Sequence, residues 1–400
     1  MKDPFLAAKQ LLIEIEASGF EAYFVGGSVR DLLLEREISD VDIATSATPQ
    51  EIKAIFPKTI DVGVEHGTII VLFHGIPYEV TTFRSEAEYE AFRRPKEVKF
   101  IRSLEEDLQR RDFTMNAIAM DKEGQLIDPF QGKVAIENQT IQTVGKAKER
   151  FQEDALRMMR AVRFYSQLGF EIEASTREAL ITYAPLLEHI STERKLVEFE
   201  KLLAGENRIE ALKMICITGL YQYLPNLTSR KDELAHVLTY DCSRLTIEEM
   251  WGLIIYQFSL DEKGRINFLK SWKLPMKRIK YIQHIVRWLY FRVDKKWTDE
   301  TIYHAGKEAV LAVEKLFNTI HKITEGTKHV ERLIDQYESL AIKNRSELQV
   351  TGTDLQTWFQ RTPGPWIKET INQVEEAVIN QKISNHKESI KEWLDKCKQS

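Results

Sequence analysis

Apolar positions recur at helical spacing over residues 5–17 (FLAAKQLLIEIEA), and the period then shortens abruptly. AYFVGG reads as a strand running into a turn, SVRDLLLE as the start of a helix, and ISDVDIAT as a second strand. PQEIKAIF is a short helix opened by Thr48-Pro49, and the apolar runs GTIIVLF and IPYEVTTF, separated by His74-Gly75, have the form of a hairpin. LEEDLQRRDFTMNA reads as helical and IAMDKEGQLIDPF as another hairpin around Glu123-Gly124. Between them, Ser85 to Lys99 is charged and lacks a clean apolar face, the pattern of an exposed, flexible excursion. Beyond about residue 145 helical periodicity takes over, through KERFQEDALRMMRAVRFYSQLGF, TREALITYAPLLEHI, RKLVEFEKLL and IEALKMICITGL. No fixed repeat and no low-complexity tract is present. The pattern predicts an α+β protein with a small mixed-sheet head and an elongated all-helical body and tail, divided as 1–145, 146–205, 206–265 and 266–400.

Bulk properties narrow this only slightly. A chain of 400 residues, 43% hydrophobic and 29% charged, is long enough for more than one core. Cys216, Cys242 and Cys397 lie far apart, so neither a disulfide framework nor a zinc site is expected. The amino-terminal stretch mixes charge into a helical period, and no run reaches the ~18 apolar residues of a membrane span. A cytoplasmic protein with no membrane association is expected. The net charge of −5 argues against indiscriminate coating of nucleic acid, yet Arg265 to Lys296 holds ten basic residues against Asp294 alone.

Candidate chemistry begins at ISDVDIA. Asp40 and Asp42 stand two apart on an expected strand, so both carboxylates project from one face while Val41 and Ile43 enter the other. Such a pair is unfavourable unless a cation lies between, and Mg2+ held by one or two carboxylates plus substrate phosphates is the common solution. Glu79 joins them if its strand is adjacent. An isolated D-x-D is more often a solvent-facing strand end, and Gly26-Gly27 is equally a plain tight turn. Together with Arg30 they form a more specific pattern: strand, glycine turn, helix amino terminus, cation, strand, carboxylates.

VGGSVRDLLLEREISDVDIAT resembles the signature of the polymerase-beta-type nucleotidyltransferase superfamily, in the branch of bacterial tRNA nucleotidyltransferases and poly(A) polymerases. RRDFTMNAIAMD, IDPFQG and EDALRMMRAVRF resemble the following motifs of that branch in the expected order, covering roughly residues 1–205. Within the branch the chain is most similar to the CCA-adding enzymes. The resemblance implies a nucleotidyltransferase head that uses Mg2+, with Asp40 and Asp42 as metal ligands and Glu79 beside them. It implies that Gly27, Arg30 and Arg111 orient the triphosphate, although Arg111 taken alone is also a helix-surface ion pair with Asp107 or Asp112.

In EDALRMMRAVRF, Asp154, Arg157, Arg160 and Arg163 follow at three-residue steps, which alone describes a solvated, salt-bridged helix face. The resemblance instead implies that Asp154 and Arg157 read the base and that Arg160 and Arg163 contact the nucleotide. Cytosine and adenine both present an exocyclic amine beside a ring nitrogen, matching one acceptor and one donor. The implied reaction is addition of CCA to the 3′ end of tRNA from CTP and ATP by two-metal phosphoryl transfer. A homodimer is compatible with the resemblance.

Two other enzymes fit less well. Poly(A) polymerase relatives carry a basic stretch where this chain has DVGVEHGTIIV and a strongly basic tail, whereas SNHKESIKEWLDKCKQS is mixed in sign. CC-only relatives lack a flexible loop that the Ser85–Lys99 excursion resembles; an A-only enzyme stays open. From a different class, a silent tRNA-binding module would use the basic stretch with Trp272, Tyr281, Trp288, Tyr290 and Phe291.

Overall fold

The computed structural model describes residues 4–90, 94–323 and 327–399. Its first unit comprises Met1–Leu238 with Ser271–Lys273. Helix α1 (Phe5–Ala17) buries Phe5, Ala8, Leu11, Leu12 and Ile15, the apolar stripe legible in its sequence. Phe5 meets Phe24 of β1 (Ala22–Val25) edge to face at 4.9 Å. Then follow α2 (Gly27–Leu33), β2 (Asp42–Thr45) and α3 (Pro49–Ile55), the last opened by a capping box between Thr48 and Glu51.

The strand β3 (Thr59–Gly63), unforeseen from sequence, forms an edge beside β4 (Thr68–Phe73). Between β4 and β5 (Ile76–Thr82), His74 and Gly75 both take positive φ, 50° and 80°, the geometry that a two-residue hairpin turn needs. Two short strands, β8 (Ala119–Met120) and β9 (Leu126–Ile127), complete a seven-stranded mixed sheet ordered β3-β4-β5-β2-β1-β8-β9, in which only β2 and β5 run parallel. Alternation sets its faces: Ile69, Val71 and Phe73 of β4 point into the core.

The stretch from Ser85 to Lys99 departs from expectation. It lies in a two-stranded antiparallel ribbon, β6 (Arg84–Glu90) with β7 (Arg94–Phe100), paired in register from Arg84↔Phe100 to Glu90↔Arg94; residues 91–93 lie outside the described residues. Ladder bonds between its own strands satisfy the backbone there, which is why a segment with no apolar face still has regular structure. The expected long helix over LEEDLQRRDFTMNA is likewise only α4 (Leu104–Gln109), followed by a 3-10 turn at Thr114–Asn116.

After α5 (Gly132–Glu137), strand β10 (Thr140–Ile141) precedes α6 (Ala147–Glu153) and α7 (Leu156–Leu168), and β11 (Glu171–Ile172) returns to pair with β10 in parallel. Helices α8 (Ala174–Tyr183) and α9 (Thr192–Leu203) follow. At the end of α9 the backbone comes very close to α7: a Cβ built on Gly205 would stand 2.2 Å from Ser166 Oγ and 2.7 Å from its carbonyl.

The second unit, Thr239–Lys270 with Leu274–Ser400, is helical among its described residues. Helices Ile247–Gln257, Met276–Asp294 and Lys307–His321 pack around Trp251, Ile285, Leu289 and Leu316. A separate cluster gathers Ile302, Leu355, Val374 and Ile390 with Trp358 and Trp393. The basic stretch is thinner than its sequence suggests, because Arg278 pairs with Glu248 and Arg292 with the fully buried Glu314. Its aromatics are largely structural: Trp272, in the first unit, is fully buried against Phe199, and Trp288 and Phe291 pack with Trp297. Among the described residues, no helix is long and apolar enough to cross a membrane.

Gly205→Ala should therefore destabilise the protein by about 1–3 kcal/mol, since the new methyl meets backbone that cannot swing away. Chemical denaturation read by far-UV circular dichroism measures this, and an unchanged midpoint would show that the α7–α9 approach is not tight.

Candidate active site

The sheet brings Asp42 and Glu79 together at one edge of a cleft whose lining includes both of them but not Asp40. Val25, the last residue of β1, is opposite Asp42, and Asp42 is opposite Glu79 of β5. The strand β2 begins at Asp42, so Asp40 lies just ahead of it and is exposed, a correction to the expectation that both sit on the strand. Val41 and Ile43 are buried as alternation requires. Gly26 takes φ 74° and ψ −136°, a conformation that side chains avoid, and a Cβ there would be 3.2 Å from Arg111 Nη1 and 3.6 Å from Asp42 Oδ2. The glycine thus lets the turn, the cation and the carboxylate meet.

Burial raises the Asp42 carboxyl to about 6, reinforced by Glu79 and Asp40 and opposed by Arg111. A carboxylate in that state gains from a cation. No three acidic, histidine or cysteine side chains among the described residues converge to hold an ion by themselves. A hard divalent ion therefore fits here with one or two carboxylates and with substrate phosphates filling its remaining positions.

Facing this edge is a wall of arginines. The cleft, of about 890 Å³, is lined by eight arginines against four carboxylates, with His66, Thr68 and Thr81 on the β4–β5 side. Such an excess of positive charge suits a polyanion. Arg111 pairs with Asp107 at 3.1 Å, as one of the sequence alternatives had it, and still reaches the space beside Gly26. Arg30 is almost fully buried: it bonds both oxygens of Asp31 at 2.9 Å and Asn116 Oδ1 at 2.7 Å. Those bonds use three of its five N–H groups, so Arg30 braces α2 while still lining the cleft.

The segment EDALRMMRAVRF is not one helix. Its backbone is extended at Asp154 (φ −136°, ψ 104°), which separates α6 from α7. Asp154 and Arg157 consequently do not pair with each other. Asp154 accepts from the Leu156 N–H at 3.1 Å and from Arg194 of α9 at 3.2 and 2.6 Å, while Arg157 bonds Glu153 and the Arg110 carbonyl, each at 2.7 Å. Arg160 bonds Asp112, and Arg163 lies 2.6 Å from Glu198 and 3.9 Å above the ring of Phe164. Far from being a solvated face, Arg157 and Arg163 are buried and Leu156, Met159 and Val162 are in the core. All four sequence-predicted residues nevertheless line the same cleft as Asp42.

Sequence reasoning gave no role in the site to Asp112, Asn116, Arg194 or Glu198, which line the cleft or brace it. Burial alone would raise the Asp112 carboxyl, but Arg160 and then Arg157 hold it down at about 2. Asn116 donates to Asp112 and accepts from Arg30, joining the glycine turn to α7. In RKLVEFEKLL a usable signal existed: Arg194 and Glu198 are one turn apart, on a helix whose apolar residues already point toward a partner.

Residues 22–142 match the family model described as Poly A polymerase head domain, residues 169–231 one for an RNA- and SrmB-binding site of polymerase A, and residues 244–394 one for tRNA nucleotidyltransferase domain 2. A CCA-adding enzyme of Geobacillus sp. (strain WCH70) is 49% identical, with 98% of this chain and 97% of the relative covered. A CCA-adding enzyme of Bacillus licheniformis is 47% identical over the whole of both chains. The crystal structure of the Bacillus stearothermophilus CCA-adding enzyme in complex with CTP superposes with a TM-score of 0.91 at 45% identity, covering 100% of this chain and 98% of that one. The chain belongs to the family of CCA-adding enzymes, the tRNA nucleotidyltransferases.

Proposed function

We propose that the protein adds C, C and A in turn to the 3′ end of tRNA without a nucleic-acid template, consuming CTP and ATP and releasing pyrophosphate. The observation that carries this reading is the sharing of one cleft by a carboxylate edge, an arginine wall and the Asp154/Arg157 pair. Enzymes of this superfamily work with a divalent metal. For this chain the ion would be Mg2+, which Asp40 and Asp42 would hold, and it would supply neutralising charge to the triphosphate and to the attacking 3′-oxygen. Glu79 adds negative field beside Asp42.

The protein's own groups do the positioning. Gly26 and Gly27 let phosphate oxygens approach the backbone, and Arg111 offers a planar fork to them from across the turn. Arg30 keeps α2 in place under that turn. Asp154 accepts from the exocyclic amine of cytosine or adenine, and Arg157 donates to the adjacent ring nitrogen. Uracil and guanine reverse that order and would set a carbonyl against Asp154, at a cost of about 1–3 kcal/mol. Arg160 and Arg163 flank the nucleotide from α7.

With Mg2+, CTP and ATP, tRNA lacking its 3′ end should be extended by three nucleotides and no further. Unlimited A tails would make the protein a poly(A) polymerase, and one A on CC-ended tRNA without C incorporation would make it A-only.

Asp42→Ala should abolish addition while tRNA binding persists. Asp42 also gives a metal-free test. Its folded value lies above the ordinary 3.8, so ionising it opposes folding: that penalty is absent below pH 3.8 and develops as pH rises through about 6. Metal-free Asp42→Asn should then melt above the metal-free parent at pH 8, with the gap closing toward pH 4. Identical melting at both pH values would remove the charged, desolvated site on which metal binding is argued.

Asp154→Ala and Arg157→Ala should each narrow the preference for CTP and ATP over UTP and GTP by on the order of tenfold, with tRNA affinity little changed. An unaltered ranking of the four nucleotides, measured as kcat/KM, would refute the base-reading assignment.

A further inference from the structure

The bonding of Asp154 carries information beyond its proposed contact with the base. An ionised carboxylate has about four acceptor positions and no proton to donate. Three are taken here: Oδ1 accepts from the Leu156 N–H at 3.1 Å and from Arg194 Nη1 at 3.2 Å, and Oδ2 accepts from Arg194 Nη2 at 2.6 Å. One position remains, on Oδ2. Arg194 is anchored for this task, because α9 is fixed within one turn of it by Lys195, which donates to the Tyr223 carbonyl at 2.9 Å, and by Glu198 against Arg163.

We infer that Arg194 is a positioning residue for nucleotide choice: its two bonds to Asp154 fix the carboxylate plane and leave a single acceptor position, suited to one exocyclic amine N–H of cytosine or adenine. The inference rests on the reading that Asp154 receives the base. A parallel two-bond fork sets direction as well as charge, which a lysine ammonium does not do. Without the fork, the Asp154 side chain sits at a backbone break with only the Leu156 N–H to orient it, free to rotate or to take a water between itself and a carbonyl. Uracil and guanine, which set a carbonyl at that place, then lose much of their disadvantage. Arg194 is about one-third exposed, so its replacement leaves the core intact.

The experiment compares kcat/KM for CTP and UTP on tRNA lacking its 3′ end for the parent, Arg194→Met, Arg194→Lys, Asp154→Ala and the Asp154→Ala/Arg194→Met double variant, with melting temperature recorded for each. Arg194→Met should lower the CTP-to-UTP ratio about tenfold, Arg194→Lys should recover only part of it, and the double variant should be no less selective than Asp154→Ala alone. A parental ratio in Arg194→Met, or an equal fall for both nucleotides, would overturn the inference while Asp154→Ala, if it loses selectivity, keeps the base-reading assignment standing. Retained selectivity in Asp154→Ala would bring down both. Should Arg194→Met fail to fold, Arg194→Lys decides: full parental selectivity there refutes the need for the fork.

Discussion

The ion pair between Asp112 and Arg160 is the constraint on which the site's architecture depends. Asp112 is buried, accepts from the Phe113 N–H and from Asn116, and takes its countercharge from α7. Removing Arg160 would strand the buried Asp112 carboxylate, although the arginine is about one-third exposed and the loss is smaller than for a fully buried pair. Through Asn116 the same carboxylate is coupled to Arg30, and through Arg30 to Asp31 on α2. A continuous chain of charged and polar bonds therefore runs from the glycine turn to the arginines of α7, fixing the distance between the place where phosphates would sit and the place where a base would be read.

That chain also explains how several arginines coexist in one small volume. Arg30, Arg160 and Arg163 stand 5.2, 5.5 and 3.9 Å from the centroid of the Phe164 ring, each over its electron-rich face. Glu198 lies against two of them. Burial pushes the Arg163 guanidinium down to about 10, with Glu198 opposing the shift, so it stays charged at neutral pH. The positive field of the cleft is thus built before any polyanion arrives, and no reorganisation is needed to create it.

Sequence periodicity revealed the elements that bury one clear face: α1, the β4–β5 hairpin and the helices after residue 145. Asp40, Asp42 and the glycine turn were legible because they lie within one short segment running from β1 to β2, whereas Glu79 joins them only through the pairing of β2 with β5. What stayed hidden depends on pairing across the chain. The ribbon β6–β7 has no apolar stripe to announce it, since its order comes from ladder bonds between its own strands. Asp154 looked like one position in a helical row because spacing cannot show a single extended residue. Arg194 and Glu198 were given no role from the sequence, and only the placement of α9 shows that they meet Asp154 and the buried Arg163.

The small parallel ladder of β10 and β11 gives α7 a further property. Thr140↔Glu171 and Ile141↔Ile172 close a loop that contains the whole of α6 and α7. A helix held inside a closed loop is a beam clamped at both ends: sliding it along its axis would require unzipping the ladder. The side chains along such a beam keep a fixed spacing relative to the ladder.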